Sequence, residues 1–240
     1  MPRFPIDRSA VSENKAVITG ADHRHIVKVL RLGPGDKITL FDTDSTEYYG
    51  KISSVGKAEL EIDIHEKARV ERESPINIRL MQGLPKGDKF DYIIEKATEL
   101  GVTSIVPVLT ERVQYHARDR KKRWEKIAVE AAKQCGRTSP TVIENITDYD
   151  KALLSCDDNS LRIILQVNAE LSIKTYLKST LQTPQNIILF IGPEGGFTDK
   201  EVLLAKEMGF TPLGLGPRVL RTETASVSVL SILQFFYGDL

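Results

Sequence analysis

Cysteine is almost absent from this chain of 240 residues: only Cys135 and Cys156 occur, with no Cys-x-x-Cys pair. A disulfide framework needs more thiols than that, and a structural zinc site needs four ligands at characteristic spacing. Histidine is scarce too. His23, His25, His65 and His116 show no ligand-like spacing beyond the first two, and no acidic cluster joins them, so no metal is expected. No apolar run approaches the roughly 20 residues that span a bilayer, and Met1-Pro2-Arg3-Phe4-Pro5 lacks the apolar core of a signal peptide. A cytoplasmic protein without membrane contact is the expectation. Net charge is missing as well, with 33 Lys and Arg against 33 Asp and Glu. Neutrality alone speaks against a nucleic-acid partner, but binding follows the distribution of charge rather than its sum.

Familiar nucleotide and hydrolase motifs are also lacking. No Gly-x-x-x-x-Gly-Lys-Ser/Thr occurs, which excludes a P-loop. No Gly-x-Gly-x-x-Gly opens a βα unit, so NAD(P) binding is poorly supported. There is no Gly-x-Ser-x-Gly elbow, and neither cysteine has a histidine near it in sequence.

What is present falls into two rhythms. Residues 15–66 alternate apolar and polar in Lys37-Ile38-Thr39-Leu40-Phe41-Asp42, Tyr49-Gly50-Lys51-Ile52-Ser53 and Leu60-Glu61-Ile62-Asp63-Ile64, as half-buried strands do. A small barrel is the natural outcome, because strands with one apolar face must close or stack. One helical pattern interrupts them over 22–30, with Ile26, Val29 and Leu30 on a shared face and His23, Arg24, His25, Lys28 and Arg31 on the polar side. That polar side reads equally as a solvated face or as an RNA-contacting one.

A charged stretch over 66–74 precedes Pro75, and there the rhythm changes to strands alternating with helices. Strands are predicted at 76–81, 103–108, 142–143, 161–167, 187–191 and 212–215. Helices are predicted at 88–100, 120–134, 149–154, 171–181, 199–208 and 223–236, with Gly101 and Gly209 as stops and Thr198 with Glu201 as a capping box. Repeated β-α alternation gives a mainly parallel sheet covered on both faces. Charge is polarised along it: from Arg112 to Arg137 nine basic residues face three acidic ones, an excess of six. The nine include Arg118, Arg120, Lys121 and Arg123.

In open parallel sheets, ligands bind beyond the carboxyl ends of the strands. Three such ends bring glycine or polar residues together: Gln166, the run Gly192-Pro193-Glu194-Gly195-Gly196, and Gly216. Glycine there lets a ligand approach the main chain closely; the bland alternative is a pair of tight turns. What the residues support is a pocket recognised mainly through backbone groups and apolar contacts.

Ile191-Gly192-Pro193-Glu194-Gly195-Gly196-Phe197, together with Leu215-Gly216-Pro217-Arg218-Val219-Leu220-Arg221-Thr222-Glu223-Thr224-Ala225, resembles the paired C-terminal motifs of RsmE-type 16S ribosomal RNA methyltransferases of the SPOUT superfamily. The resemblance extends to Glu95-Lys96-Ala97-Thr98-Glu99-Leu100-Gly101-Val102, Thr110-Glu111-Arg112, Glu130-Ala131-Ala132-Lys133-Gln134-Cys135-Gly136-Arg137 and His25-Ile26-Val27-Lys28-Val29-Leu30-Arg31. It implies an α/β fold: a PUA-like β-barrel RNA-binding domain over 1–70 and a SPOUT methyltransferase domain over 74–240, whose parallel sheet ends in a C-terminal trefoil knot. It further implies S-adenosylmethionine as cofactor, a homodimer, and methylation of N3 of one uridine near the 3′ end of 16S rRNA in the small ribosomal subunit.

On that reading the cofactor contacts are Gln166, Ile191, Gly192, Pro193, Gly195, Gly196, Leu215, Gly216, Leu220 and Thr222. Arg221, and second to it Arg218, stabilise negative charge on the uracil oxygens; ion pairs of these arginines with Glu194 or Glu223 are the structural alternative. Glu194, following Gly-Pro, is expected to accept backbone hydrogen bonds rather than act as a base. Arg3, Arg24, Arg112, Arg120, Lys121, Arg123 and Arg137 are the RNA-contact candidates, with Arg8 assisting. Two other classes stay open at this point: a non-catalytic rRNA-binding assembly factor, and a small-molecule methyltransferase.

Overall fold

A computed structural model describes every residue except 43, 114–119, 158 and 181. His116, Arg118, Asp119 and Leu181, which figure in the readings above, lie outside the described residues. The chain divides into two units, Met1–Glu73 with Lys133–Ser139, and Ser74–Ala132 with Pro140–Leu240.

In the first unit, β1 (Arg3–Pro5), β2 (Val11–Ser12), β3 (Lys15–Thr19), β4 (Lys37–Phe41), β5 (Thr46–Val55) and β6 (Glu59–Arg69) make one curled sheet in the order β1-β4-β5-β6-β3-β2. Alternation decides which side is buried: along β6, Leu60, Ile62 and Ile64 turn inward while Glu59 and Asp63 stay exposed. The inward set packs with Ile18, Ile38, Leu40 and Ile52. The register shifts between Tyr49 and Gly50, and such irregularities bend a strand. A Cβ on Gly50 would stand 2.6 Å from Ile62 Cγ2 and 2.8 Å from Asp63 O, so the bend admits only glycine.

The helix expected over 22–30 is different. It starts as α1 (Gly20–Arg24) and continues as a π-helical turn over His25–Val29. The wider turn breaks the 3.6-residue periodicity. Ile26 is fully buried, but Val29 and Leu30 are 67% and 40% exposed, so these three do not share an inward face. His23 is also not on the polar side: it is buried, with Nε2 3.1 Å from the Gly56 carbonyl oxygen.

The second unit alternates as expected: β7 (Asn77–Gly83), α2 (Lys89–Glu99), β8 (Ser104–Leu109), α3 (Lys121–Cys135), β9 (Val142–Ile143), β10 (Thr147–Asp148), α4 (Tyr149–Leu154), β11 (Leu161–Leu165), α5 (Ile173–Ser179), β12 (Asn186–Ile191), α6 (Asp199–Glu207), β13 (Thr211–Leu213) and α7 (Thr222–Tyr237). The strands form a parallel sheet in the order β10-β8-β7-β12-β11-β13, with β9 beside β8. Successive residues of β12 serve opposite faces. Ile187, Leu189 and Ile191 pack with Phe90 and Ile94 of α2 and Val229 and Leu233 of α7. Ile188 and Phe190 pack with Tyr149 and Leu153 of α4 and Ala205 of α6. The Phe190 ring stacks on Tyr149 at 5.0 Å and meets Phe197 edge-on at 4.9 Å. Helix α6 begins with the expected capping box of Thr198 and Glu201.

Gly50→Ala overpacks the β5–β6 bend, and overpacking costs about 1–3 kcal/mol. Hydrogen exchange of the full-length protein should show lost protection in β5 and β6 amides while β12 keeps its own; equal protection throughout would count against the close approach.

Candidate cofactor and catalytic site

The carboxyl ends of β11, β12 and β13 open onto one cavity of about 500 Å³, within the roughly 300–1,000 Å³ of small-ligand sites. Its floor is apolar, from Leu165, Ile191, Leu213, Leu215 and Leu220. Two loops form its walls, residues 192–196 after β12 and 215–222 before α7, with Gln166 and Asn168 following β11. Each of the ten residues put forward as cofactor contacts borders this cavity, and so do Arg218, Arg221 and Arg112. Gly196 and Gly216 have φ of +65° and +118°, a region side chains disfavour, so the backbone there is turned in a way other residues resist.

Beneath the loops lies a polar group that sequence reasoning passed over. Gln82, at the end of β7, is fully buried. Its Nε2 lies 3.0 Å from Gly83 O, 3.4 Å from both Ile191 O and Gly192 O, and 3.1 Å from Thr222 Oγ1. Its Oε1 accepts from Ser226 Oγ at 2.8 Å. Thr222 Oγ1 donates to Gly192 O at 2.7 Å. Leaving any of these groups unpaired in a water-free site costs about 1–3 kcal/mol. The next residue fixes the approach of the loop itself: a Cβ on Gly83 would stand 2.5 Å from Pro193 Cδ. A polar residue closing a parallel strand, as Gln166 also does, was the available signal.

The 192–196 loop is held from outside as well. The Glu194 carboxylate accepts from the Lys86 N–H at 3.1 Å and from Lys89 Nζ at 2.6 Å. Burial works against its charge, but the Lys89 ammonium and backbone N–H groups more than offset this, and the carboxyl is held below the usual range. Its contribution to stability is therefore present at neutral pH and is lost only as pH falls through that lowered value. Such a group is a poor proton acceptor near neutrality. On the next residue, Gly195 O accepts from Arg112 Nη1 at 2.8 Å.

Arg218 and Arg221 are exposed. Among the described residues neither makes an ion pair; Glu194 is engaged with Lys89 instead. Two guanidinium groups thus border the cavity without a carboxylate partner. Of the other basic residues singled out, Arg120 lies 3.5 Å from Asp88, Lys121 donates to Asn145 Oδ1 at 2.8 Å, and Arg123 pairs with Asp91 at 2.6 Å. In the first unit Arg24 is exposed, Arg8 pairs with Asp44, Arg3 with buried Glu47, and buried Arg137 with Glu73.

Residues 72–234 match the family model for the RNA methyltransferase domain, and residues 18–64 that for the RNA methyltransferase PUA domain. The ribosomal RNA small subunit methyltransferase E of Bacillus subtilis (strain 168) is 35% identical, over 91% of this chain and 89% of its own. The protein of that name from Buchnera aphidicola subsp. Acyrthosiphon pisum is 31% identical over 100% of this chain and 95% of its own. A crystal structure of the Neisseria gonorrhoeae ribosomal RNA small subunit methyltransferase E bound to S-adenosyl methionine has a TM-score of 0.89 at 33% identity, covering 100% of this chain and 99% of that one. A Legionella pneumophila structure in complex with the same cofactor gives 0.87 at 34% identity, covering 100% and 98%. With its α/β sheet, its curled N-terminal sheet and a strand-end cavity where the motifs meet, the chain belongs to the ribosomal RNA small subunit methyltransferase E family.

Proposed function

We propose that this protein transfers a methyl group from S-adenosylmethionine to N3 of a uridine near the 3′ end of 16S rRNA, in the small ribosomal subunit. The observation that carries the reading is the strand-end cavity walled by the two family motifs, with Arg218 and Arg221 at its border and in no ion pair among the described residues. The cofactor's sulfonium supplies an electrophilic methyl group. The donor set fits it: an apolar floor for a flat base, turned glycine backbone that admits close approach, and the polar side chains of Gln166 and Asn168. Asp199, also on the lining, adds a carboxylate compatible with a cation.

Uridine N3 lies on the Watson–Crick edge, so the base is unpaired or flipped before it is reached. The N3 proton is released to water; Arg221 presents a rigid, permanently charged fork to the uracil oxygens and favours the resulting anion, and Arg218 supports it. Glu194 and Arg112 hold the 192–196 loop still while this happens. Alignment can contribute roughly 7–11 kcal/mol, more than the ~10²–10⁴-fold of a general base. Residues 1–70 serve as an RNA-binding barrel, and 74–240 as the methyltransferase domain. The C-terminal trefoil knot, the homodimer and the cytoplasmic location implied by the resemblance belong to this same reading.

Radiolabelled transfer from S-adenosylmethionine to small subunits lacking the mark, followed by nucleoside mapping, tests the reaction; label at any position other than uridine N3 overturns the assignment. Arg221→Ala should lower transfer by about 10²–10³-fold, as loss of one oxyanion donor does, while calorimetry finds cofactor affinity retained. Wild-type turnover by that variant would remove Arg221 from the mechanism. Reversing Arg120, Lys121 and Arg123 to Glu should weaken subunit binding and flatten its salt dependence. Unchanged affinity at low salt would exclude them from the RNA contact.

A further inference from the structure

The buried amide of Gln82 sits between the two loops that wall the cavity, and its orientation is fixed by what surrounds it. Three carbonyl oxygens, of Gly83, Ile191 and Gly192, lie within 3.4 Å of one side. Only the NH₂ end of an amide can face three acceptors, so Oε1 must point to Ser226. Thr222 is then fixed as well. Its hydroxyl proton goes to Gly192 O at 2.7 Å, and its oxygen receives from Gln82 Nε2 at 3.1 Å. The result is a directed chain from Gln82 to Thr222 to the Gly192 carbonyl, closed through Ser226 in the first turns of α7.

Thr222 is 5% exposed, and its hydroxyl is committed at both ends. It borders the cavity, yet its one proton is already committed to Gly192 O. Gly192 O takes that hydroxyl proton at 2.7 Å, with the Gln82 amide farther off at 3.4 Å. Both groups therefore act by holding backbone rather than by touching what binds. Thr222 directly follows Arg221, so the chain sets the spacing between the 192–196 loop and the arginine-bearing loop.

We propose that Gln82 is a positioning residue of the methyl-transfer reaction, which through Thr222 and the Gly192 carbonyl fixes the cofactor loop in register with Arg221. The inference rests on the function proposed above. Removing the amide leaves each loop's own contacts with its ligand in place but loosens one loop against the other. Rate then suffers more than binding does.

Gln82→Met keeps the side chain's length and apolar stem without the amide; Thr222→Val removes the hydroxyl and Thr222→Ser retains it. Single-turnover transfer should fall about 100-fold in Gln82→Met, the scale of an ångström-sized misplacement, while the cofactor dissociation constant measured by calorimetry moves no more than about threefold. Thr222→Val should lose comparable rate, and the double variant no more than the worse single one, because the pair acts as a unit. Thr222→Ser should recover most of the loss. In the cofactor-free protein, amide exchange across 192–196 should quicken in Gln82→Met and Thr222→Val alike.

Wild-type rates in Gln82→Met, or losses of rate and affinity in equal proportion, would overturn the positioning role while leaving the functional reading intact. Fully additive losses in the double variant would do the same. A wild-type protein that neither binds S-adenosylmethionine nor methylates subunits overturns both.

Discussion

A parallel sheet ends in carbonyl groups that no neighbouring strand can pair, and in this protein those at the centre of the sheet are gathered by one buried amide. The two amide protons of Gln82 sit among Gly83 O, Ile191 O, Gly192 O and Thr222 Oγ1, the nearest being Gly83 O at 3.0 Å and Thr222 Oγ1 at 3.1 Å. Without it, Gly83 O and Thr222 Oγ1 would lose their amide donor in a buried region, where an unmet acceptor costs about 1–3 kcal/mol. The two loops over the sheet's end would also have no common reference. The cavity therefore depends on a residue that does not line it. Gly83 enforces the same arrangement sterically, since any side chain there would push into Pro193.

The platform under this network is stiff because β12 is anchored on both faces. Its odd-numbered residues belong to the core under α2 and α7, its even-numbered ones to the core under α4 and α6. A close-packed interior transmits displacement rather than absorbing it. Polar clamps then fix what packing cannot reach: Glu194 to Lys86 and Lys89, and Arg112 to Gly195. Gly192, Glu194 and Gly195 are each held by a group from another element, which is what a site built largely on main chain requires. Where the lining is main chain there are no side-chain rotamers to adjust, so precision there comes from the rigidity of the loops.

Much of this was legible in the sequence. The alternation in β6, the βα rhythm after Pro75, the capping box at Thr198 and the glycine turns after β12 and β13 each follow from local rules. Every strand end bordering the cavity was flagged by a glycine or glutamine. The parts that escaped share one physical character: they depend on partners far along the chain or on a single displaced residue. Gln82 reads locally as the polar end of an apolar strand, and its partners other than Gly83 lie more than a hundred residues away. Glu194 could be judged unsuited to a base, but Lys86 and Lys89 could not be named as its partners. The π-helical turn at His25–Val29 leaves the periodicity of 22–30 looking regular while moving Val29 and Leu30 outward.

The division of charge around the cavity follows from the same logic. The carboxylate in the 192–196 loop is neutralised by a lysine and backbone amides, while the two arginines bordering the cavity pair with no carboxylate among the described residues. Had Glu194 paired with Arg221, the guanidinium would be committed to the protein and the loop would be tied to the element that must meet a substrate. Keeping them apart leaves the clamp on the 192–196 loop independent of the guanidinium groups. A guanidinium remains charged across the whole accessible pH range, so its attraction for a developing anion requires no proton to move within the protein. On the proposed function, the arginines stabilise negative charge on a planar base without any side chain giving up a proton, and the rate then depends on how firmly the buried amide keeps the two loops in register.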